Sequence, residues 1–169
     1  TGGEAWVRLT SKQERLALRG NFFWNDITRP VANVTLATTP ALITRQRQNL
    51  GRTRSKGLEL QADAKLNRYW HLSGSYLFAD ATVVEFPANR SLEGLKLPQV
   101  PSHQFTFQSS YTNPSIITVG LQGRASSSQF DDDQNMFRLD PYFTLDAFVS
   151  RRINEQFEVF GAIENVFNQ

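Results

Sequence analysis

GLELQADAKLNRYWHLSGSYLFAD, residues 57–80, is the stretch that decides the fold class of this 169-residue chain. Residues 58–66 alternate strictly between apolar and polar side chains, and the alternation resumes in residues 70–78 after the polar pair Asn67-Arg68. Because a β-strand sends successive side chains to opposite faces, this pattern predicts a long hairpin with one apolar face and one charged face. The question is then whether the apolar face meets a protein core or lipid.

The same alternation recurs along the rest of the chain and predicts eight strands. We place them over about 3–10, 13–27, 42–66, 70–86, 102–112, 116–127, 141–151 and 156–166. The first part of the third strand, residues 43–49, has no apolar face, so it should project beyond any membrane. Two prolines interrupt the stretch from about residue 28 to 41, which we expect to be irregular.

Composition limits the possible classes of protein. A hydrophobic content of 40% suits either a soluble domain or a membrane barrel. No run of apolar residues approaches the roughly 20 that a membrane helix needs, which excludes a helical membrane protein. A net charge of +2 is too small to indicate nucleic-acid binding, and the absence of cysteine excludes disulfides and thiolate metal sites.

Strand lengths and connections favour a membrane barrel. The predicted strands have about ten or more residues, whereas strands of soluble proteins usually have about 5–6 and a tilted membrane strand needs about 9–11. Short connections near residues 11–12, 67–68, 113–115 and 152–155 alternate with long ones near about 28–41, 86–101 and 128–140. Short turns on one side and long loops on the other are typical of outer-membrane barrels.

The aromatic residues fall near both ends of the predicted strands. Those beside the short turns are Trp70, Tyr111 and Phe157, and those toward the long loops are Trp24, Phe78, Phe105 and Phe143. Amphipathic rings favour membrane–water interfaces, so two aromatic belts are expected in a barrel. The alternative is that the rings fill a soluble core.

The order of short and long connections indicates that the chain belongs to a larger barrel. Because the first short turn follows the first strand, the chain starts on the long-loop side, and after eight strands it ends there too. Complete bacterial barrels have both chain ends on the short-turn side. An open sheet would leave unpaired edges in lipid, where backbone groups must be paired, so we expect neighbouring strands outside this chain.

Three segments carry a resemblance to a known family. They are NLGRTRSKGLELQADAKLNRYWHLSGSYLFADA from Asn49, LEGLKLPQVPSHQFTFQSSY (Leu92–Tyr111) and LDPYFTLDAFVSRRINEQFEVFGAIENVFNQ (Leu139–Gln169). In order and spacing they resemble the late barrel strands of TonB-dependent outer-membrane receptors, and ENVFN (Glu164–Asn168) is similar to the penultimate strand of that family. The resemblance covers residues 49–169, and residues 1–48 are compatible with it.

The resemblance implies both a fold and an activity. Such receptors are antiparallel up-and-down barrels of 22 strands in the bacterial outer membrane, closed by an N-terminal plug. They import scarce ligands such as ferric siderophores or cobalamin, driven by the inner-membrane TonB complex. This chain would supply about strands 14–21, a single all-β segment, with the plug, the TonB-contacting region and the final strand outside it. Lipid, lipopolysaccharide, TonB and a small ligand would be its partners.

No residue pattern indicates catalysis, a cofactor or a metal. His71 and His103 lie on different predicted strands, without the converging ligands that a metal site needs. The acidic run of residues 131–133 has no EF-hand spacing, and we interpret it as a solvated loop. The charged residues at alternate positions of the strands should line the barrel lumen, where they would meet water and the plug. They comprise Arg19, Glu59, Asp63, Lys65, Arg124, Asp146 and Glu158.

Residues that contact ligand should come from the long loops and the adjacent lumen. The candidates are Arg45, Arg47, Arg90, Phe130 and Met136. Basic groups attract anionic ferric chelates, and aromatic side chains stack on them. Surface recognition or contact with lipopolysaccharide would explain these residues equally well.

Two other classes remain open at this stage. One is a small eight-stranded barrel with a structural role in the outer membrane, for which the length is suitable. The other is a soluble β-sandwich binding module with its apolar faces packed together. The topology disfavours the first, and strand length and loop asymmetry disfavour the second.

Overall fold

The computed structural model describes residues 1–39 and 41–169 and is built almost entirely of antiparallel strands. In chain order the strands are β1 Gly2–Thr10, β2 Leu16–Thr28, β3 Val31–Thr38, β4 Ile43–Asn49, β5 Arg52–Lys65, β6 Trp70–Glu85, β7 His103–Asn113, β8 Ile117–Ser126, β9 Gln129–Phe130, β10 Arg138–Leu139, β11 Tyr142–Arg152 and β12 Glu158–Ile163. A 3-10 turn spans Arg90–Leu92. In these two ranges, no helix has the length and apolar character needed to cross a membrane.

Eight of these strands form one sheet in the order β1-β2-β5-β6-β7-β8-β11-β12, with every neighbouring pair antiparallel. The up-and-down order and a main sheet of eight strands are therefore confirmed. The strands β3 and β4 form a separate hairpin within the first long connection, and β9 pairs with β10 within the third. The long loops thus carry their own secondary structure.

The prediction of one third strand over residues 42–66 is wrong. The chain breaks at Leu50-Gly51 because Leu50 is buried in a cluster between the loops and its N–H bonds to the Pro30 carbonyl at 2.9 Å. The stretch expected to be irregular contains β3, and Pro30 stands before that strand rather than inside it. The other proline of this stretch, residue 40, lies outside the described residues.

Three other boundaries differ from the prediction. One is the end of the last strand, which stops at Ile163 rather than near residue 166, so that Glu164–Asn168 lies outside it. The first short turn runs to residue 15 because the Ser11 hydroxyl accepts the N–H groups of Arg15 and Leu16, both at 3.1 Å. The last strand begins at Glu158. The turn extends up to it because the Asn154 side chain accepts the N–H groups of Gln156 and Phe157, at 2.9 Å each. Local capping by Ser and Asn therefore widens both short turns.

The strand register sorts side chains onto two faces of the sheet. One continuous row contains Arg19, Gln61, Ser75, Thr106 and Arg124, with the hydroxyls of Ser75 and Thr106 at 2.7 Å. The adjacent row on the opposite face contains Leu18, Ala62, Gly74, Phe107 and Gly123. The sheet consequently has one polar face and one apolar face, as the alternation predicted.

Within the described part of the chain, no protein layer packs against the apolar face. Large side chains such as Leu9, Phe22 and Phe105 are 62%, 53% and 44% exposed. The buried apolar cluster lies instead at the long-loop end, where it comprises Val34, Leu50, Val83, Phe86 and Leu92. A single sheet with an uncovered apolar face contradicts the soluble sandwich. The closed eight-stranded barrel is also wrong, since no register among the described residues pairs β1 with β12.

At its long-loop end the apolar face gives way to a set of charged residues, which we call the charged rim. It consists of Asp26, Arg52, Arg54, Lys56, Asp80 and Lys96. Arg54 binds Asp26 through two hydrogen bonds of 2.8 and 2.9 Å, with Arg52 3.9 Å away. Asp80 is held by Lys96 at 2.7 Å and by Lys56 at 3.5 Å. Each carboxylate therefore lies between two cations, on the long-loop side of Trp24, Leu58 and Phe78.

Acidification is expected to weaken the charged rim only at low pH. The hydrogen bond from Arg54 lowers the pKa of Asp26, so the contribution of this ion pair is complete above the ordinary value of 3.8 and is lost as the pH falls through the folded pKa. The measurement is the difference in thermal midpoint between the wild type and Asp26→Asn. It should stay constant from about pH 8 to 5 and shrink only below about 3.8. A difference that shrinks near neutral pH would contradict this assignment.

Candidate functional site

The three long connections meet at one end of the sheet and are joined by hydrogen bonds. The β3–β4 hairpin meets the third connection where Thr35 donates its N–H and hydroxyl to the Asp133 carboxylate, at 2.9 and 2.6 Å. The second connection meets the third where Asn135 exchanges two hydrogen bonds with the Lys96 backbone, at 2.8 and 2.9 Å. Gln99 adds a bond of 2.9 Å to Asp131. These contacts make the three loops one connected cap.

A cleft of about 190 Å³ lies between the loops of this cap. Its apolar walls include Val34, Leu50, Val83, Leu92 and Leu97, and its polar lining includes Asn33, Arg45, Lys96, Gln99 and residues 131–133. An apolar wall with a few converging polar groups is typical of small-molecule sites. The volume is below the roughly 300–1,000 Å³ of such sites, so this cleft suits one part of a larger ligand.

Asp132 organises the third connection from its centre. Its side chain is only 3% exposed, and its carboxylate accepts the N–H groups of Gln134, Met136 and Phe137 at 3.1, 2.9 and 2.7 Å. The interpretation of residues 131–133 as a solvated acidic run is therefore wrong. The carboxylates of all three are used to shape the loop and to join it to its neighbours, which the run of like charges did not reveal.

The structure brings only one of the predicted ligand residues to the cleft. Arg45 lines it, whereas Arg47 follows two residues later on β4 and is exposed outside the lining. The Phe130 carbonyl accepts the N–H of Gln99 beside the cleft, at 2.7 Å, while its ring is not part of the lining. Met136 is 74% exposed, and Arg90 is exposed on the 3-10 turn. Contact between any of the five and a ligand stays a prediction.

Sequence reasoning missed the polar partners of Arg45 in the cleft. Asn33, Lys96 and Gln99 come from two different connections and share no spacing with Arg45 in the chain. The sequence offered only an indirect signal, namely that long connections from the same side of a sheet come together. The individual side chains that meet there depend on loop conformations.

The polar face of the sheet forms a second concave surface. A hollow of about 360 Å³ is lined by Gln61, Asp63, Ser73, Ser75, Thr106, Gln108, Gln122 and Arg124, among other residues. Glu59 accepts a hydrogen bond from Gln61 at 2.8 Å, and Asp146 accepts the N–H of Asn165 at 2.8 Å. This polar, hydrogen-bonded surface suits water and polar protein segments rather than an apolar ligand.

The two histidines take part in local contacts. His71 Nε2 is 4.0 Å from an Asp63 oxygen, and His103 Nδ1 is 2.8 Å from the Tyr76 hydroxyl. Across residues 1–39 and 41–169, no three His, Cys, Asp or Glu residues converge in a way that could hold a metal ion. The cleft in the cap offers charged, hydrogen-bonding and apolar groups for recognition.

Comparison with known proteins identifies a family. The family model described as "TonB dependent receptor-like, beta-barrel" matches residues 5–166. The ferrichrome outer membrane transporter/phage receptor of Escherichia coli K12 is 33% identical over 103 residues, which are 59% of this chain and 13% of the relative. A probable TonB-dependent receptor, BfrD of Bordetella pertussis, is 25% identical over 130 residues, which are 69% of this chain and 18% of the relative.

Solved structures share the fold of the whole chain. The siderophore receptor PiuA from Acinetobacter baumannii matches with a TM-score of 0.81 and 18% identity, over 99% of this chain and 24% of its own. The ferric-catecholate import receptor Fiu of Escherichia coli K12 matches with a TM-score of 0.75 and 23% identity, over 99% of this chain and 23% of its own. The chain thus spans less than a fifth of the two relatives and about a quarter of these solved chains.

Proposed function

This chain belongs to the TonB-dependent receptor β-barrel family, and we propose that it serves the TonB-dependent uptake of a scarce ligand across the bacterial outer membrane. The observation that carries the proposal is the match of the family model to nearly the whole chain. The members it resembles are transport receptors and not enzymes. Its eight strands are barrel strands of an outer-membrane protein, with the apolar face toward lipid.

A ferric siderophore is the ligand class that we propose. The name of the Escherichia coli relative refers to ferrichrome, and the names of PiuA and Fiu refer to a siderophore and a ferric catecholate. The cleft supports this choice, because Arg45 brings a cation to a site with apolar walls, and the three carboxylates of residues 131–133 in its lining are already held by hydrogen bonds. Such a lining favours part of an anionic chelate with an organic scaffold.

The rest of the proposed receptor lies outside this chain. We propose that these strands are about strands 14–21 of a 22-stranded barrel, with a plug inside the barrel and a TonB-contacting segment elsewhere in the protein. The polar face supports this arrangement, since its row of hydrogen-bonding side chains suits water and a polar plug surface. Energy for uptake would come from TonB, the proposed protein partner.

Replacing Arg45 with glutamine in the full receptor is expected to weaken the binding of an anionic ferric chelate by roughly tenfold or more, because a charge-assisted hydrogen bond contributes about 1.5–3 kcal/mol. Arg151→Gln is the matched control, since Arg151 lies near the end of β11 on the short-turn side. The measurement is the dissociation constant of the purified receptor, determined by titration with ferric siderophores. Equal dissociation constants for the two variants would show that Arg45 does not contribute to ligand binding.

Uptake itself needs a separate test. Cells that lack their own receptor for a given ferric siderophore should accumulate radiolabelled iron when they express this receptor, and only while TonB is present. The control is the same strain without TonB. Accumulation that does not depend on TonB would contradict the proposed function, whatever the outcome for Arg45.

A further inference from the structure

The cleft in the cap places one arginine among three carboxylates. Arg45 lines it together with Asp131, Asp132 and Asp133. Within residues 1–39 and 41–169, the ion pairs of the structure do not include Arg45. Opposite charges that share a cleft of about 190 Å³ attract each other strongly, so the free guanidinium group requires that other donors hold the carboxylates.

Each of the three carboxylates is bound by a different set of donors. Asp132 accepts backbone N–H groups of its own loop, and Asp131 accepts the Gln99 side chain at 2.9 Å. Asp133 is held through both of its oxygens by Thr35, whose N–H is 2.9 Å from Oδ2 and whose hydroxyl is 2.6 Å from Oδ1. The distance of 2.6 Å is typical of a strong hydrogen bond to a charged acceptor.

Thr35 lies directly opposite Arg45 in the β3–β4 hairpin. Because Thr35 gives its N–H to Asp133 and not to β4, the two residues form a non-hydrogen-bonded pair, in which the strands are closest, and their side chains share one face of the hairpin. Thr35 is also buried, with 6% of its surface exposed. The Asp133 carboxylate is therefore bound next to Arg45 by the residue that faces Arg45.

We propose that Thr35 is a specificity-determining residue of the cleft. By binding both oxygens of Asp133, it keeps this carboxylate from pairing with Arg45 and leaves the guanidinium group free for an anionic part of the ligand. The inference rests on the proposed function and adds to it the residue that sets the charge of the site. Without the Thr35 hydroxyl, Oδ1 of Asp133 would lose its donor, which costs free energy, and Arg45 is the cation that would replace it.

Two variants and a control test this role in the full receptor. Thr35→Val removes the hydroxyl while keeping the backbone N–H and the shape of the side chain. The double variant Thr35→Val/Asp133→Asn also removes the charge that would pair with Arg45. The control is Thr38→Val, the same change at an exposed position of β3, where Thr38 pairs with Ile43. Heat-modifiable gel migration first establishes that each variant is folded.

The first measurement needs no ligand. Phenylglyoxal reacts with free guanidinium groups, and mass spectrometry of peptides gives the rate of its addition to Arg45, with the exposed Arg90 on the 3-10 turn as internal reference. We expect Thr35→Val to slow the reaction of Arg45 relative to Arg90 roughly fivefold, the factor that a partly exposed ion pair contributes. The double variant and Thr38→Val should react at the wild-type rate.

The second measurement is the dissociation constant for two iron chelates of different charge. Ferric citrate is the anionic probe, and ferrichrome, whose three hydroxamates neutralise the iron, is the neutral one. Thr35→Val should raise the dissociation constant of ferric citrate roughly fivefold and leave that of ferrichrome unchanged, because only the anion loses a cation. The double variant should bind ferric citrate at least as well as the wild type. A role of Thr35 in merely joining the loops predicts the opposite, since Asp133→Asn weakens that contact further.

Three results would overturn the inference. The first is reaction of Arg45 at the wild-type rate in Thr35→Val. The second is a slow reaction that persists in the double variant, which would make Thr35 a support of the loop structure. The third is an equal effect of Thr38→Val. If neither chelate binds the wild type, the ligand class of the proposed function fails, while the rate at Arg45 still decides the role of Thr35.

Discussion

Replacing Gly57 with alanine is expected to destabilise the barrel by about 3 kcal/mol, the upper end of the usual cost of overpacking. Gly57 is buried in the middle of the β5–β6 hairpin. An added Cβ would overlap the Phe78 carbonyl oxygen and lie 2.6 Å from Cζ of Phe23, whose ring covers this glycine from β2. A side chain can rotate away, but a carbonyl held in a strand ladder cannot.

The control for Gly57→Ala is Gly74→Ala, which makes the same change on the other strand of the hairpin. The nearest atom to an added Cβ at Gly74 is 3.5 Å away, which is ordinary contact. Because glycine inside a strand costs roughly 0.5–1 kcal/mol relative to alanine, this control should be neutral or slightly stabilising. The measurement is urea unfolding of the full receptor in lipid vesicles, followed by heat-modifiable gel migration. Equal midpoints for the two variants would contradict the argument.

Alternation carried most of the information about the sheet. In a strand the face of each side chain follows from its parity, so residues 57–80 predicted both the hairpin and its two faces without knowledge of the rest of the molecule. The relation between Gly57 and Phe23 was not accessible in the same way. It depends on the register between β2 and β5, which the sequence pattern fixes only to within steps of two residues.

The cap over the sheet was the part that sequence could not supply. The third long connection reaches the first through Asp133 and Thr35, which are 98 residues apart in the chain. No local periodicity encodes such a contact, because irregular loops are shaped by individual hydrogen bonds rather than by a repeating pattern. The same limit explains why only Arg45 of the five predicted ligand residues lines the cleft. Proximity to the long loops was predicted, but the direction of each side chain was not.

Replacing Asp132 with alanine is expected to open the third connection while leaving the strands of the sheet intact. The change removes the acceptor of three backbone N–H groups, those of Gln134, Met136 and Phe137. Charge-assisted hydrogen bonds of this kind contribute about 1.5–3 kcal/mol each, although water replaces part of that in a loop. A local loss of about 2 kcal/mol would speed amide exchange in the loop roughly 30-fold. Hydrogen exchange with mass spectrometry on peptides that cover residues 130–138 is the measurement.

Asp131→Ala is the matched control for this change. Asp131 is partly exposed and accepts one side-chain hydrogen bond, from Gln99 at 2.9 Å, so its loss should alter exchange by no more than a few-fold. Because Asp133 and Asn135 flank Asp132 and hold the neighbouring loops, the opening in Asp132→Ala should spread to peptides that contain Thr35 and Lys96. Faster exchange confined to residues 130–138 would show that the loops move separately. Faster exchange in the peptides of all three loops would mean that one buried carboxylate, that of Asp132, sets the shape of the cleft. Ligand affinity should then fall in Asp132→Ala even without direct contact between Asp132 and the ligand.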